Sequence, residues 1–334
     1  MNIQHHISLK PFNTFGIDAE GVDVIIVDDS AMLKEIGSMP GRKYIMGGGS
    51  NILLTKKPEG LILRNKLSGI RQLQEDEHSV WLEVASGEVW HDFVLFAVKK
   101  GLGGIENLAL IPGTVGASPM QNIGAYGAEV KDTIQQVTFW HWEESRFITY
   151  SNSECAFGYR ESIFKHSLKD KVFITSVVYK LSKQPSYNTS YGAIEQELAQ
   201  MHVAELSVHA IAQAVTNIRK SKLPDPAVIG NAGSFFKNPT IAVGQYNALK
   251  AEFPSIPSYP VSEGFVKVPA GWLIEQCGWK GYRNSNIGVH AQQALVLVNY
   301  GGALGEDIWQ LSGEIVTSVH HRFGITLERE VNVW

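Results

Sequence analysis

The first third of the chain alternates short apolar runs with polar and glycine-rich turns. Val22–Val27 is rich in β-branched residues and predicts a strand, and a short helical pattern follows it. Residues 44–46 predict a second strand, which ends in Gly47-Gly48-Gly49-Ser50-Asn51. This order predicts a β-α-β unit whose second strand opens directly into a glycine turn.

In the rest of the chain, alternation of apolar and polar residues predicts strands, and apolar residues at a spacing of 3.6 predict helices. Strands are predicted at residues 80–85, 137–142, 147–150, 172–181 and 294–298, and helices at residues 89–98, 208–219, 245–253, 270–277 and 306–323. Residues 325–334 alternate as a final strand, with Glu328 and Glu330 at one-face spacing. A length of 334 residues predicts two or three domains.

The glycine turn at residues 47–51 has the composition of an anion site. Consecutive glycines leave successive backbone N–H groups free to point at a phosphate. The run is not the dinucleotide fingerprint G-x-G-x-x-G, and it is not a P-loop, because no Gly-Lys-Ser/Thr follows it. A tight hairpin connection would use the same residues, so the turn alone leaves both interpretations open.

Residues 106–127 form a second unusual stretch. The part from Pro112 to Gly127 contains two prolines and four glycines, which makes a regular helix or strand improbable. Polar residues such as Thr114 and Asn122 alternate with apolar spacers, which indicates a packed loop. We expect its backbone N–H groups to be satisfied by a ligand, and a long surface loop is the alternative.

Residues 230–239, Gly-Asn-Ala-Gly-Ser-Phe-Phe-Lys-Asn-Pro, concentrate hydrogen-bond donors on little side-chain bulk. Ser234 lies close in sequence to Lys237 and two asparagines, and two glycines permit φ > 0. This composition favours a ligand-holding loop, although a solvated turn before the next helix would look the same. Arg160, flanked by aromatic residues and a glycine, is either a structural ion-pair partner or a guanidinium presented to a carboxylate.

Composition and charge exclude several classes of protein. The chain is 44% hydrophobic and 19% charged, as in folded soluble proteins, and its net charge of -4 argues against nucleic acid or an anionic membrane as the main partner. We expect a cytoplasmic protein, since no export signal and no membrane-spanning run is visible. Only Cys155 and Cys277 are present, which fits a reducing compartment, and no metal-binding motif is found, so we expect no metal.

Together these stretches resemble the UDP-N-acetylenolpyruvoylglucosamine reductase family, flavoenzymes that complete UDP-N-acetylmuramic acid for bacterial peptidoglycan. The resemblance extends over nearly the whole chain through residues 13–16, 47–53, 106–127, 157–165, 222–226, 231–239 and 327–331. Tyr191-Gly192 is similar to the branch of the family that carries a tyrosine loop over the substrate. Arg329 departs from the pattern of the family, in which a proline is expected at this position as often as not.

The resemblance implies an α+β fold, with a two-part FAD-binding region of the vanillyl-alcohol-oxidase/PCMH type and a C-terminal α/β substrate-binding domain. FAD-binding subdomain 1 would be residues 1–66, completed by the C-terminal strand 325–334. Subdomain 2 would be residues 67–222 with the Tyr191 loop, and the substrate-binding domain would be residues 223–324. Non-covalent FAD would be held by Gly47, Gly48, Gly49, Ser50, Asn51, Pro112, Gly113, Thr114, Gly116, Ala117, Ser118, Gln121, Asn122, Gly124, Ala125, Tyr126 and Gly127.

The resemblance also implies a reaction, the NADPH-dependent reduction of UDP-N-acetylglucosamine enolpyruvate to UDP-N-acetylmuramate. Hydride would pass from NADPH to FAD and then to substrate C3, and C2 would be protonated. Ser234 would be the proton donor, while Arg160 and Glu330 would stabilise the charge that grows on the substrate carboxylate. The implied substrate contacts are Tyr191, Lys222, Asn238 and Gln293, with Arg219 and Lys237 as candidates for the phosphates.

Two other functions stay open from sequence. A different FAD-dependent oxidoreductase of the same fold would need only the two flavin loops and would leave Ser234, Arg160 and Glu330 without a shared purpose. A non-catalytic nucleotide-sugar or flavin-binding protein would need no proton donor at all. In each case we expect small-molecule partners, no nucleic acid or membrane partner, and a monomer.

Overall fold

A computed structural model describes residues 2–334, which divide into two units. Unit 1 contains Gly21–Gly48, Glu59–Ser221 and the described N-terminal residues up to Ile7, whereas unit 2 contains Ser8–Glu20, Gly49–Pro58 and Lys222–Trp334. Both units are therefore assembled from segments that are separate in sequence. The three-part division at residues 1–66, 67–222 and 223–324 stays a prediction.

Helices and strands are distributed over the whole chain. The helices are α1 (Met32–Ser38), α2 (Trp90–Lys99), α3 (Gly192–Gln200), α4 (Val208–Lys222), α5 (Val243–Glu252), α6 (Ala270–Gln276) and α7 (Gly305–Phe323). The strands are β1 (Ile3–Ile7), β2 (Val22–Val27), β3 (Lys43–Met46), β4 (Ile52–Leu53), β5 (Leu61–Asn65), β6 (Ile70–Glu75), β7 (Ser79–Ala85), β8 (Gly124–Ala125), β9 (Ala128–Glu129), β10 (Ile134–His141), β11 (Arg146–Ser151), β12 (Val172–Ser182), β13 (Gly230–Ser234), β14 (Thr240–Ala242), β15 (Tyr259–Ser262), β16 (Phe265–Lys267), β17 (Arg283–Asn284), β18 (Ile287–Val289), β19 (Val296–Asn299) and β20 (Asn332–Val333).

The first sheet of unit 1 has the strand order β1-β2-β5-β3. Strands β2, β5 and β3 run parallel, and β1 is antiparallel to β2 at the edge. Leu33 and Ile36 of α1 pack with Ile25 of β2 and Leu63 of β5 in one hydrophobic cluster. The predicted strand-helix-strand order is confirmed, with β5 lying between the two predicted strands.

The second sheet of unit 1 is antiparallel, with the order β11-β10-β12-β7-β6. Trp90 and Phe93 of α2, Ile211 of α4 and Tyr179 of β12 belong to its large hydrophobic core, so the helices predicted at residues 89–98 and 208–219 are confirmed. Helix α3 was not predicted. It is short and carries two large apolar side chains, Ile194 and Leu198, which are buried against the core.

Unit 2 contains a four-stranded sheet, β13-β19-β18-β17, and a three-stranded sheet, β14-β16-β15. The buried side chains of α7 include Ile308, Leu311 and Ile315, and the helix ends at Gly324, whose left-handed φ of 65° is a common C-terminal stop. The prediction of a loop at residues 230–239, whether ligand-holding or solvated, is wrong for its first half. Gly230–Ser234 is a strand because it pairs with β19, although glycine and asparagine are poor strand formers.

The prediction of one continuous strand at residues 325–334 is also wrong. Only β20 is a strand, paired in parallel with β4, and Arg329 forms an isolated bridge with Phe236. Ile325 and Leu327 are nevertheless buried, so the alternation of the sequence is real. Alternation reports burial of one face, whereas a strand also needs a neighbouring backbone to pair with.

The structure also bears on membrane-spanning helices, metal-binding clusters and reactive cysteines. Within residues 2–334, no helix combines the length and apolar character needed to cross a membrane, and no three His, Cys, Asp or Glu side chains are grouped to hold a metal ion. Cys155 is a buried free thiol, and burial raises its pKa to about 12. A thiol with such a pKa is a structural rather than a reactive cysteine.

Candidate functional site

Two backbone segments of unit 1 approach each other with no side chain between them. A Cβ atom on Gly48 would lie 3.0 Å from Cα of Gly113, and a Cβ atom on Gly47 would collide with the Thr114 hydroxyl. Within residues 2–334, the N–H groups of Gly47, Gly48, Gly113 and Thr114 donate to no backbone carbonyl. Clustered, unused backbone donors of this kind suit a phosphate, so the residues present fit the pyrophosphate of FAD.

The second half of the glycine turn belongs to unit 2. Gly49 has a φ of 64°, and its carbonyl accepts a hydrogen bond of 3.1 Å from the Thr14 N–H. The Asn51 side chain donates to the carbonyl of Glu330 at 3.4 Å, and the Asn51 carbonyl accepts from the N–H of Asn332 at 3.1 Å. Ser50, between them, is half-buried. Asn51 thus ties the turn to the C-terminal segment.

The loop at residues 112–127 is packed, as the sequence predicts. The Gly116 N–H donates to the Ser86 carbonyl at 2.8 Å, and a Cβ on Gly116 would lie 2.7 Å from Cβ of Ser86. The Ser118 hydroxyl is fully buried and lies 2.7 Å from the hydroxyl of buried Tyr179. Its side chain therefore holds the loop in place, which leaves the loop backbone and the exposed Ala117 and Pro112 as the groups that can face a ligand.

Asn122 connects this loop to the turn that carries Arg160. Its buried side chain donates to a carboxylate oxygen of Glu129 at 3.1 Å and to the carbonyl of Gly158 at 2.9 Å. Its own carbonyl oxygen accepts from the Lys131 N–H at 3.0 Å. Asn122 has a φ of 45°, which asparagine tolerates better than most residues. These bonds use the whole amide inside the protein.

Arg160 itself lies in a strained turn. Its φ is 56°, uncommon for a long side chain, and the turn is closed by reciprocal backbone bonds between Gly158 and Glu161 of 2.9 and 3.2 Å. Lys165 donates to the Arg160 carbonyl at 3.0 Å. One guanidinium nitrogen lies 3.6 Å from the Cβ position of Gly124, so unit 1 brings Arg160 beside the predicted flavin loop. Strain of this kind is concentrated at functional sites.

A second guanidinium lies within electrostatic range of Arg160. Burial lowers the pKa of Arg219, and repulsion from Arg160 lowers it further against the opposing effect of Tyr126. The rings of Tyr126 and Tyr191 meet edge to face at 5.5 Å, and burial raises the pKa of Tyr126. Tyr191, 47% exposed, precedes α3. Two neighbouring cations beside aromatic side chains form a surface that attracts an anion.

His91 and Leu110 support this surface and were not found from sequence. Leu110 has a φ of 57°, its N–H donates to Nδ1 of His91 at 2.9 Å, and its carbonyl accepts from Nε of Arg219 at 3.1 Å. Burial lowers the pKa of His91, which keeps Nδ1 unprotonated as an acceptor. No sequence signal marks His91, and Leu110, although it lies in the unusual stretch at residues 106–127, acts through its backbone, which its apolar side chain does not announce.

Ser234 is the last residue of β13 in unit 2. It pairs with Val296 of β19, after an irregularity in the ladder that follows Asn231. Gly233 takes a φ of 70°, and its N–H donates to the Asn231 side chain at 3.0 Å. Irregular pairing of this kind bends a strand and redirects its side chains. Ser234 is half-buried at that bend.

Glu330 lies beside the residues that follow Ser234. The N–H of Glu330 donates to the carbonyl of Phe235 at 2.8 Å, and the N–H of Lys237 donates to the carbonyl of Glu328 at 2.9 Å. Lys237 is 8% exposed, and its ammonium forms an ion pair with Glu328. Unit 2 therefore places the backbone of Glu330 against that of Phe235, the residue after Ser234, and Glu328 forms an ion pair with Lys237, the lysine expected to be a candidate for the substrate phosphates.

Two of the expected substrate contacts meet at the start of α6. The Asn238 side-chain oxygen accepts from the N–H of Ala270 at 2.9 Å, which leaves the amide NH₂ as its donor group. The side-chain oxygen of Gln293 lies 3.3 Å from the Cβ position of Gly271. Lys222 is exposed as the last residue of α4. Asn238 and Gln293 are thus neighbours in space, as a shared ligand requires.

The stretch at residues 13–16 carries the resemblance without an assigned role, and the structure gives it a supporting one. The Thr14 hydroxyl donates to the carbonyl of Asn231 at 2.6 Å, and the Asn231 N–H donates to the carbonyl of Thr14 at 3.0 Å. The buried Asn13 side chain donates to the carbonyls of Leu9 and Ile17. These bonds hold the beginning of β13 and hence the approach to Ser234.

The predicted site residues thus form two sets. Unit 1 brings together Arg160, Arg219, Tyr126 and Tyr191, and unit 2 brings together Ser234 with Glu330 and Asn238 with Gln293. Because Arg160 belongs to one unit and Ser234 to the other, their convergence on one substrate stays a prediction. The flavin contacts expected at residues 47–51 and 112–127 also stay a prediction.

Comparison with known proteins bears on both units. Residues 30–148 match the FAD binding domain model, and residues 225–334 match the model of the UDP-N-acetylenolpyruvoylglucosamine reductase C-terminal domain. The UDP-N-acetylenolpyruvoylglucosamine reductase of Flavobacterium johnsoniae is 49% identical over 100% of both chains. The reductase of Pseudomonas aeruginosa is 43% identical over 100% of this chain and 99% of its own.

A solved structure shares the fold. The UDP-N-acetylenolpyruvylglucosamine reductase of Thermus caldophilus aligns with a TM-score of 0.71 at 24% identity, covering 100% of this chain and 99% of that chain. The predicted α+β fold, with an FAD-binding region followed by a C-terminal domain of its own type, is confirmed.

Proposed function

The chain belongs to the UDP-N-acetylenolpyruvoylglucosamine reductase family, and we propose that it reduces UDP-N-acetylglucosamine enolpyruvate to UDP-N-acetylmuramate for peptidoglycan synthesis. Identity of 49% over the whole of both chains carries this proposal. The enzyme is an FAD-containing oxidoreductase that acts on a carbon-carbon double bond, with NADPH as its reductant. We further infer that it belongs to the branch with a tyrosine loop, on the strength of Tyr191, and that it works as a cytoplasmic monomer.

FAD, bound without a covalent link, would supply the redox chemistry, which is hydride transfer from NADPH to C3 of the enolpyruvyl group. The backbone amides of Gly47, Gly48, Gly113 and Thr114 would bind its pyrophosphate, since they donate to no carbonyl within residues 2–334. The loop at residues 112–127 would lie along the rest of the cofactor. Its position is fixed by the buried Ser118 and Asn122 side chains.

Charge develops on the substrate carboxylate as C3 gains hydride. Arg160 would stabilise that charge with a bidentate hydrogen bond, and its strained, closed turn holds the guanidinium before the substrate arrives. Arg219, which is electrostatically coupled to Arg160, would add positive potential. Glu330 would share a proton with the same carboxylate, which requires its own carboxyl group to be protonated when the two meet.

C2 must then receive a proton, so that one hydride at C3 and one proton at C2 together saturate the double bond. Ser234 would donate it. A serine hydroxyl is a weak acid, but a carbanion is a strong base, and nearby donors stabilise the alkoxide until solvent returns the proton. Glu330 is held beside this serine by the hydrogen bond from its N–H to the Phe235 carbonyl of 2.8 Å.

The UDP-sugar would be recognised by a few polar side chains. Asn238 and Gln293, which meet at the start of α6, would contact the nucleotide sugar together with Lys222. Tyr191 would close over it, and Arg219 would neutralise part of the diphosphate charge. The exposure of Tyr191 fits a side chain that moves, and its ring meets that of Tyr126 edge to face.

Purification and turnover test the proposal directly. We expect the purified protein to be yellow and to oxidise NADPH only when UDP-N-acetylglucosamine enolpyruvate is supplied. A colourless protein after careful purification would overturn it, and so would turnover with unrelated alcohols.

Ser234→Ala tests the proton donor. We expect NADPH to reduce the bound flavin at the wild-type rate, while reoxidation by the enolpyruvyl substrate slows by about 10²- to 10⁴-fold, the usual cost of losing such a group. Stopped-flow absorbance of the flavin measures both half-reactions. Ser255→Ala, at an exposed turn after α5, is the matched control and should change neither. Equal loss of both half-reactions in Ser234→Ala would contradict the assignment.

A further inference from the structure

Arg329 lies between two glutamates, and its side chain is fixed on helix α7. The guanidinium carbon lies 4.0 Å from the ring centroid of Trp309, and Nε donates to the Ser312 hydroxyl at 2.8 Å. That hydroxyl in turn donates to the carbonyl of Trp309 at 2.6 Å, and Ser312 is fully buried. A planar guanidinium that is both stacked and hydrogen-bonded has little freedom left.

The backbone around Arg329 is held at two places, by residues 235–237 and by Asn51, whose side chain donates to the Glu330 carbonyl at 3.4 Å. The segment pairs with Phe235–Lys237 through two hydrogen bonds, donated by Glu330 and Lys237, which make up a single isolated bridge. In this pattern Arg329 and Phe236 face each other as the non-hydrogen-bonded pair, so the ladder does not use the Arg329 N–H. One bridge is a weak restraint on an extended segment.

Neighbouring side chains of an extended segment point to opposite faces. Arg329 faces α7, so Glu330, one residue later, faces away from that helix. The backbone of Glu330 is therefore fixed from behind by the arginine and from the side by Phe235. Anchoring on one face thus determines where a carboxyl group on the other face is placed.

We propose that Arg329 is a positioning residue for Glu330, holding it beside Ser234 for the second half-reaction. The inference rests on the proposed function, because it assigns Glu330 to the substrate carboxylate. Arg329 would not contact substrate C2 or C3, and it would act by fixing the position of Glu330. Displacing a reacting group by about 1 Å can lower a rate by about 100-fold, so loss of this anchor has a measurable kinetic effect.

The test compares the holoenzyme with Arg329→Ala and Arg329→Pro. We expect Arg329→Ala to slow flavin reoxidation by the enolpyruvyl substrate by about tenfold or more, with flavin reduction by NADPH unchanged within about twofold. In steady state, kcat should fall with little change in KM for the sugar nucleotide. Arg329→Pro should restore most of the rate, because the proline ring fixes φ and the ladder does not need the lost N–H.

Arg322→Ala is the matched control. Arg322 lies on the same helix, with its guanidinium carbon 5.6 Å from the ring centroids of Phe253 and Phe323, and it donates a hydrogen bond to the carbonyl of Gln276. Its loss should leave the ratio of the two half-reactions as in the wild type. Ser312→Ala, which keeps the arginine but removes its hydrogen-bond acceptor, should slow reoxidation less than Arg329→Ala does, and it serves if Arg329→Ala does not fold.

Three results would overturn the inference: wild-type reoxidation in Arg329→Ala, equal slowing of both half-reactions, or no recovery in a folded Arg329→Pro. If Arg329→Ala is unfolded, wild-type reoxidation in Ser312→Ala would overturn it. A wild-type protein that does not reduce the enolpyruvyl substrate would instead overturn the proposed function.

Discussion

The loop region of unit 1 and the Ser234–Glu330 region of unit 2 are preorganised in different ways. In unit 1, Leu110, Asn122, Tyr126 and Arg160 all carry side chains at positive φ, and surrounding hydrogen bonds hold them there. In unit 2, positive φ near the site falls on a glycine, Gly233, and the geometry comes from pairing between distant segments. One region stores local strain, whereas the other depends on long-range pairing.

The two regions also differ in charge. Arg160 and Arg219 in unit 1 repel each other, so their surface attracts an anion. In unit 2 the buried Lys237 is neutralised by Glu328. The two arginines proposed to bind anions and the serine proposed to donate a proton therefore belong to different units.

Glu330→Gln is expected to have the largest effect. Removing the shared proton should slow reoxidation by the enolpyruvyl substrate by about 10²- to 10⁴-fold, with flavin reduction unchanged, as single-turnover kinetics will measure. Glu328→Gln is the control: the Glu328 side chain is 69% exposed, and loss of its charge leaves the buried Lys237 without its ion pair, which should lower stability without slowing reoxidation relative to flavin reduction. Equal losses in the two variants would mean that the segment serves stability only.

Gly48→Ala is expected to have an intermediate effect, confined to cofactor binding. The new Cβ would lie 3.0 Å from Cα of Gly113, and relieving such overpacking costs about 1–3 kcal/mol, or about tenfold or more in FAD affinity. Titration of the apoprotein with FAD measures the change. Gly244→Ala in α5 has open space around its Cβ and should bind FAD like the wild type. Unchanged FAD affinity in Gly48→Ala would show that the backbone N–H groups around Gly48 and Gly113 do not bind the cofactor.

His91→Asn is expected to have the smallest effect, visible only in acid. Burial lowers the pKa of His91 below 6.5, so as the pH falls through that value the unfolded chain binds the proton first and stability is lost. Protonation of Nδ1 also removes the acceptor for the Leu110 N–H. Asparagine offers an acceptor oxygen that does not titrate, so the melting temperature of the variant should fall less than that of the wild type between pH 7 and pH 5. The two falls should differ by no more than about 3 °C.

His209→Asn, at an exposed position of α4, is the control for the acid effect and should follow the wild type. A His91→Asn variant that loses melting temperature in acid as steeply as the wild type would show that His91 is not the titrating group.

Much of the secondary structure was predictable because local periods report burial directly. The strand at Val22–Val27 and the helices containing Trp90 and Ile211 have clear apolar faces, and each packs on a core. Strand β13 and helix α3 were missed, because a glycine- and asparagine-containing segment and a short helix with two large apolar side chains form only when a neighbour pairs with them or buries them. The alternation at residues 325–334 identified the buried face correctly but could not report that a pairing partner was missing.

The sequence by itself determined which residues carry chemistry. Three adjacent glycines, a proline- and glycine-rich loop, a serine among donors and an arginine among aromatic residues are compositions that serve ligands, and they are visible without a fold. Only the tertiary structure decided that Glu330 lies beside Ser234, that Glu328 engages Lys237, and that Arg329 is fixed on α7. Residue types set what a group can do, whereas hydrogen bonds between distant segments set which groups meet, and a linear pattern does not record those bonds.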